Sequence, residues 1–191
     1  MRGLVLAACV LAALPLSGCD RKDAAGVSRP LVRIGGPFSL VDTDGKPVTE
    51  KTLLGKPTAI FFGFTYCPEV CPTTMTDMTA WLRALGPDAD KLNVVFVSVD
   101  PERDTPEQLK QYLSNFDPRI RGFTGTPEAV AKTAKAYRVY YQKVPQDGGG
   151  YTIDHSSAIY LFDAQGTFVE PIGYQTPADR AVDQLRRLIK G

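Results

Sequence analysis

Two continuous apolar runs dominate the chain. Thr58 to Phe64 reads TAIFFGF, and Leu92 to Asp100 reads LNVVFVSVD. Neither alternates apolar with polar positions. A strand covered on both faces has this pattern, so both runs predict buried strands. Between them, from Pro72, apolar residues recur at spacings of three and four: Met75, Met78, Leu82 and Leu85, with Trp81 beside them. That is the period of a helix laying one face on a core. Strand, helix and strand, with a connection of this length, predict a parallel, right-handed βαβ unit.

The flanking segments carry their own signals. FSLVDTDGKPVT alternates around Asp44-Gly45 and predicts a hairpin. Thr105-Pro106, Thr126-Pro127 and Thr176-Pro177 each offer an N-cap hydroxyl followed by proline at the first helical position. Gln108 completes a capping box with Thr105, and Asp179 stands at the matching place after Thr176. SAIYLFDAQGTFVEPI places two apolar runs around Asp163 to Gly166, an antiparallel hairpin. Lys143 to Asp154, with glycines at 148, 149 and 150, reads as a long mobile segment. The order is therefore hairpin, βαβ, helix, short strand, helix, ββ, helix. A βαβ unit joined to a ββα unit is the thioredoxin layout, an α/β fold, here with an N-terminal β-hairpin extension and an inserted segment.

The first residues belong to no such element. MRGLVLAACVLAALPLSGCD begins with Arg2 and continues as an apolar run of roughly 14 residues, the length of a signal-peptide core. It is short for a spanning helix. Leu16-Ser17-Gly18-Cys19 then reads as a bacterial lipobox: small residues let a peptidase approach the backbone, and the Cys19 thiol takes the lipid. The expected organisation is a leader over 1–18, a lipidated tether over 19–33 and a folded domain over 34–191. Several acyl chains on one cysteine anchor a protein stably. By resemblance to enterobacterial lipoproteins, Asp20 suggests retention at the inner membrane, with the domain on its periplasmic face.

Composition narrows the function. Hydrophobic residues are 43% of the chain, and 22 Lys/Arg against 21 Asp/Glu give a net charge of +1 with no basic stripe. That argues against nucleic-acid binding. Of four cysteines, Cys9 leaves with the leader and Cys19 is capped by lipid. Cys67 and Cys71 remain as thiols, in a compartment where disulfides persist.

Those two stand in FTYCPEVCPTT, between the end of the first buried strand and the start of a helix. Helix N-termini carry unpaired N–H groups and partial positive charge, which stabilise a thiolate. Two placements are open. Pro72 at the first helical position makes Cys71 the N-cap; alternatively Cys67 lies near the cap and the pair are i and i+4 neighbours. Both allow a disulfide or chelation of one ion. A purely structural disulfide gains little across so short a loop. His155, the one histidine, precedes the strand SAIYLF. If that strand runs antiparallel to Thr58–Phe64, His155 approaches the cysteines, and the Lys143–Asp154 segment is free to swing it onto a metal. Two thiolates and an imidazole suit copper, whereas structural zinc wants four protein ligands. Asp100 ends the second strand, where it serves either as a turn residue before Pro101 or to orient a ligand or meet a partner. Arg103 and Asp104 read as loop or capping residues, Met75 and Met78 as core, and Tyr66 as a shield over the site.

FGFTYCPEVCPTT, VSVDPERDTPE, DHSSAIYLFD and GGPFSLVDTDGKPVT together resemble the Sco/SenC proteins, over about Gly35 to Ile189. Glu69 stands where many of those proteins have aspartate. The resemblance implies a thioredoxin-like fold and copper held by Cys67, Cys71 and His155. It also implies a role in maturing the binuclear copper site of cytochrome c oxidase subunit II, by delivering copper, by reducing the receiving cysteines, or by both. A second periplasmic copper chaperone is a conceivable donor. Two competing activities use the same thiols. A thiol–disulfide oxidoreductase needs no histidine, and no cis-proline signal precedes Ser157. A thiol peroxidase needs an arginine near its cysteine, and none lies within the motif.

Overall fold

The computed structural model describes residues 33–191. The expected leader, Cys19 and the tether as far as residue 32 lie outside the described residues. The elements are β1 Ser39–Asp42, β2 Pro47–Thr49, β3 Thr58–Gly63, α1 Val70–Leu85, β4 Asn93–Ser98, α2 Pro106–Leu113 and β5 Ile120–Thr124. There follow α3 Pro127–Ala136, β6 Tyr141–Pro145, β7 Tyr151–His155, β8 Ile159–Phe162, β9 Phe168–Ile172 and α4 Ala178–Lys190. Seven strands form one sheet in the order β2-β1-β5-β4-β3-β8-β9, and β6 and β7 pair separately.

The two apolar runs lie at the centre of this sheet because only there are both faces covered. β3 is buried at all six positions and runs parallel to β4, which runs parallel to β5. Phe61 and Phe96, paired across β3 and β4, are fully buried with ring centroids 5.9 Å apart. Each such side chain contributes about 1.5–3 kcal/mol of burial. Met78, Trp81 and Leu82 of α1 meet Leu185 of α4 over Ala59, Val94 and Ile159. Tyr112 of α2 packs on Phe96 from the same side, while Tyr137 at the end of α3 packs on Phe62, one position along the strand and so on the opposite face. Among the described residues no helix is long and apolar enough to cross a membrane.

The expected hairpin at Asp44-Gly45 forms between β1 and β2, and the one at Asp163 to Gly166 between β8 and β9. Thr105 and Thr126 cap α2 and α3, accepting from the N–H groups of Gln108 and Ala129 at 3.3 and 3.2 Å. Thr176 does not cap α4. Its hydroxyl donates to the Gly173 carbonyl at 2.8 Å, so the helix begins at Ala178 with Pro177 as its N-cap.

Of the two placements open for the cysteines, Cys71 as N-cap is overturned and Cys67 near the cap holds, and one further expectation changes. α1 begins at Val70 with Glu69 as N-cap, so Cys71 is its second residue and Pro72 its third. The first N–H to enter the helical ladder is that of Thr73, bonded to the Glu69 carbonyl at 3.1 Å. Proline at the third position therefore removes no helical hydrogen bond. The Lys143–Asp154 segment is not a loose loop. It belongs to the β6–β7 hairpin, paired from Tyr141↔His155 to Pro145↔Tyr151. Its glycines supply the turn: Gly148, Gly149 and Gly150 all have positive φ, a region that other residues enter at a cost.

Candidate metal centre

The centre forms where β3 ends, α1 begins and β7 arrives. β8 lies antiparallel to β3, with Phe61 opposite Ile159. The chain entering β8 therefore passes the C-terminal end of β3 and brings His155 to the cysteines, as expected. The Cys67 and Cys71 sulfurs and an imidazole nitrogen of His155 lie within 4.8 Å of one another. Among the described residues this is the one group of three or more His, Cys, Asp or Glu side chains so gathered.

Cys67 sits before the cap, and its sulfur accepts the Cys71 N–H at 3.3 Å. It thus supplies the helix end with the acceptor that Glu69 does not provide. Cys71 is wholly buried, its sulfur pressed against β3. The fit depends on Gly63, where a Cβ would stand 2.8 Å from that sulfur. The two thiols are unlike. Cys67 is half-buried, and its pKa falls to about 4; the Cys71 side chain beside it is the main cause, helped by the backbone N–H groups of Cys71 and Glu69, while burial opposes. Burial, then the neighbouring Cys67, push Cys71 the other way. At neutral pH one thiolate is ready and the second sulfur keeps its proton.

His155 is oriented by its own neighbour. Nδ1 lies 2.9 Å from the Ser156 carbonyl, and Nε2 lies 3.4 Å from the Cys71 sulfur. A carbonyl only accepts, so Nδ1 carries the proton and Nε2 presents its lone pair to the sulfurs. The edges of Phe61 and Phe64 enclose the ring, with centroids at 6.0 and 5.7 Å. Metal–sulfur bonds of about 2.3 Å and metal–nitrogen bonds of about 2.0 Å span at most about 4.6 Å. Atoms already within 4.8 Å need only a small contraction around one ion. The donor set of two sulfurs and one imidazole fits a soft ion such as Cu(I).

Asp100 is fully buried, and its hydrogen bonds go neither to a cysteine nor to His155. It accepts from the Arg103 Nε–H and, at 2.8 Å, from the Tyr151 hydroxyl. It is also a turn residue, its carbonyl accepting the N–H groups of Arg103 and Asp104 at 3.1 and 2.9 Å. Asp104 is more than a loop residue. Buried completely, it accepts the Thr65 N–H at 3.0 Å, the Thr65 hydroxyl at 2.6 Å and the Ser98 hydroxyl at 2.6 Å. It ties the segment leading to Cys67 to the end of β4, and burial raises its carboxyl pKa. Tyr66 is 60% exposed, and its ring stacks on Arg103, 4.9 Å from the guanidinium carbon. Met75 and Met78 are buried in the core, as expected. Sequence reasoning missed Thr65, Tyr151 and the roles of Arg103 and Asp104; the acidic and basic residues of DPERD directly after a buried strand were the available signal.

The comparisons agree with the geometry. The SCO1/SenC family model matches residues 27–190. Protein SCO1 homolog 1, mitochondrial, of Arabidopsis thaliana is 41% identical over 166 residues, covering 86% of this chain and 50% of that protein. The chain spans about half the length of the curated relatives it matches first. Bradyrhizobium japonicum ScoI, solved with copper bound, is 53% identical, with a TM-score of 0.76 over 81% of this chain and 99% of that one. Arabidopsis thaliana ScoI, also solved with copper bound, is 41% identical, with a TM-score of 0.77 over 82% of this chain and 98% of that one. The motif, the fold built around it and this similarity lead to one conclusion: the chain belongs to the SCO1/SenC family and has its thioredoxin-like fold.

Proposed function

We propose that the protein is a copper metallochaperone that helps to load the binuclear copper site of cytochrome c oxidase subunit II. In this reading a lipid on Cys19 holds it to the periplasmic face of a bacterial inner membrane. The observation that carries the copper reading is the convergence of Cys67, Cys71 and an Nε2 lone pair freed by the Nδ1 contact to Ser156. The copper-bound ScoI relatives support it.

Copper is the cargo. The half-exposed Cys67 thiolate receives it, Cys71 then surrenders its proton to solvent and closes on the ion, and His155 completes three ligands. A three-ligand centre reached from the Cys67 side leaves room for thiolates of a partner to enter before the donors here let go. Copper titration of the purified domain tests this. One ion per chain, sulfur-to-copper charge transfer in the Cu(II) form and a large loss of affinity in His155→Ala are expected. Unchanged affinity in that variant would sink the three-ligand site. A deletion strain rescued with Cys67→Ser, Cys71→Ser or His155→Ala, scored for oxidase copper content, tests delivery. A Cys19→Ser chain released from membranes into the soluble fraction tests the anchor.

The unequal thiols favour a second reading, reduction of the disulfide in the receiving site. The Cys67 thiolate attacks one partner sulfur, and the other leaves as a thiolate that takes a proton. Cys71, losing its own proton, then resolves the mixed disulfide, leaving a reduced partner and an oxidised Cys67–Cys71 pair. Disulfide reduction and full oxidase assembly that both survive His155→Ala would select this reading over copper delivery.

A further inference from the structure

The β6–β7 hairpin hydrogen-bonds to no strand of the main sheet, yet it delivers the imidazole of the centre. Something must hold it. Along β7, Tyr151, Ile153 and His155 share one face, because strand side chains alternate. Ile153 is buried, which seats the middle of that face. At the end near His155 the two strands are closed on each other, the Ser156 N–H donating to the Tyr140 carbonyl at 3.0 Å and the Tyr140 N–H to the Ser156 hydroxyl at 3.1 Å. The far end is tied by Arg103.

Arg103 lies on the turn that leaves β4, and its Nε, its Nη1 and its guanidinium face each make a separate contact. Nε donates to the buried Asp100 carboxylate, and Nη1 donates to the Tyr151 carbonyl at 2.9 Å. The guanidinium carbon lies 3.9 Å from the centre of the Tyr151 ring. Tyr151 returns its hydroxyl to the other Asp100 oxygen at 2.8 Å, which closes a ring of contacts. Tyr66, next to Cys67, stacks on the same guanidinium at 4.9 Å. One side chain therefore touches both the segment that carries Cys67 and the strand that carries His155. Nη2 is buried and has no hydrogen-bond partner. The exposed Lys143–Glu102 pair, at 2.6 Å, adds a second tie between hairpin and turn. Lysine could not replace Arg103, since it has neither the planar fork nor the stacking face.

We propose that Arg103 is the positioning residue of the metal centre: by clamping Tyr151 against Asp100, it sets where β7 delivers the His155 imidazole to the two sulfurs. The inference rests on the reading of Cys67, Cys71 and His155 as a copper site. Arg103→Lys keeps a positive charge beside Asp100 but loses the fork. Tyr151→Phe keeps the ring and loses one hydroxyl, so at least one variant tests the clamp without endangering the fold. Copper(II) affinity, read by competition with a chelator, should fall about tenfold in Arg103→Lys, in the range for groups that orient metal ligands. Tyr151→Phe should change it in the same direction. In a His155→Ala background the same substitutions should have no further effect, because the clamp acts through that imidazole. In the apo protein, amide hydrogen exchange across β7 should accelerate in both variants. An affinity loss of equal size in both backgrounds, or none in either variant, overturns the proposal. If His155→Ala by itself leaves affinity unchanged, the copper reading fails instead; unaltered β7 exchange in the apo variants then overturns the clamp independently.

Discussion

Replacing Gly63 by alanine asks whether the Cys71 sulfur is seated by the strand behind it. The new Cβ would lie 2.8 Å from that sulfur, 3.0 Å from Phe61 Cε1 and 3.1 Å from Phe96 Cε2. Comfortable contacts between such atoms begin at about 3.5 Å, so the sulfur must retreat by roughly 0.7 Å or more. It has nowhere easy to go, since Cys71, Phe61 and Phe96 are all fully buried. Overpacking of this kind costs about 1–3 kcal/mol, which lowers the melting temperature of a domain this size by about 2–12 °C. The displaced sulfur also leaves a site that tolerates errors of only about 0.5 Å, so copper affinity should fall by about 10- to 100-fold. Gly122→Ala is the control. Gly122 lies on β5, two strands across the sheet from β3, and its Cβ would meet Leu113 Cδ1 at 2.5 Å and Leu109 at 2.9 Å and touch neither thiol. It should lower stability and leave copper affinity per folded molecule near wild type. Thermal unfolding and chelator competition on the two variants make the comparison. A Gly63→Ala protein with wild-type melting and wild-type affinity would refute the argument.

Other outcomes follow from the same geometry. Iodoacetamide should modify the reduced apo protein at Cys67 from alkaline pH down to about pH 5, because the thiolate persists until pH nears its lowered pKa of about 4, while Cys71 stays protected; peptide mass mapping across pH checks both. Asp104→Ala should destabilise the fold by about 1–3 kcal/mol in urea unfolding, since it strands the Thr65 N–H and the Ser98 hydroxyl. Burial raises the native Asp104 pKa above 3.8, so its protonated form contributes stability that is fully present below that value and is lost as pH rises through the raised one; Asp104→Asn should remove that slope. Lys110→Ala should change stability by less than about 0.5 kcal/mol, because its 2.7 Å contact with Asp44 is solvent-exposed.

What the sequence determined by itself was local in character. Unbroken apolar runs named the central strands, and helical spacing named α1. Threonine before proline placed the caps of α2 and α3, while the same signal misled at Thr176, whose hydroxyl the Gly173 carbonyl takes. Two cysteines at the mouth of a helix and a solitary histidine before an antiparallel strand named the centre. Tertiary structure decided what depends on distant contacts. The start of α1 rests on the Cys67 sulfur standing in for a cap. The segment before His155, read as mobile from its glycines, is held as β7 by cross-strand pairing and by an arginine 48 residues away. Thr65 and Asp104, 39 residues apart, leave no period and no motif to read. Periodicity records which face of an element is buried; it carries no information about which side chain waits on the other side of the fold.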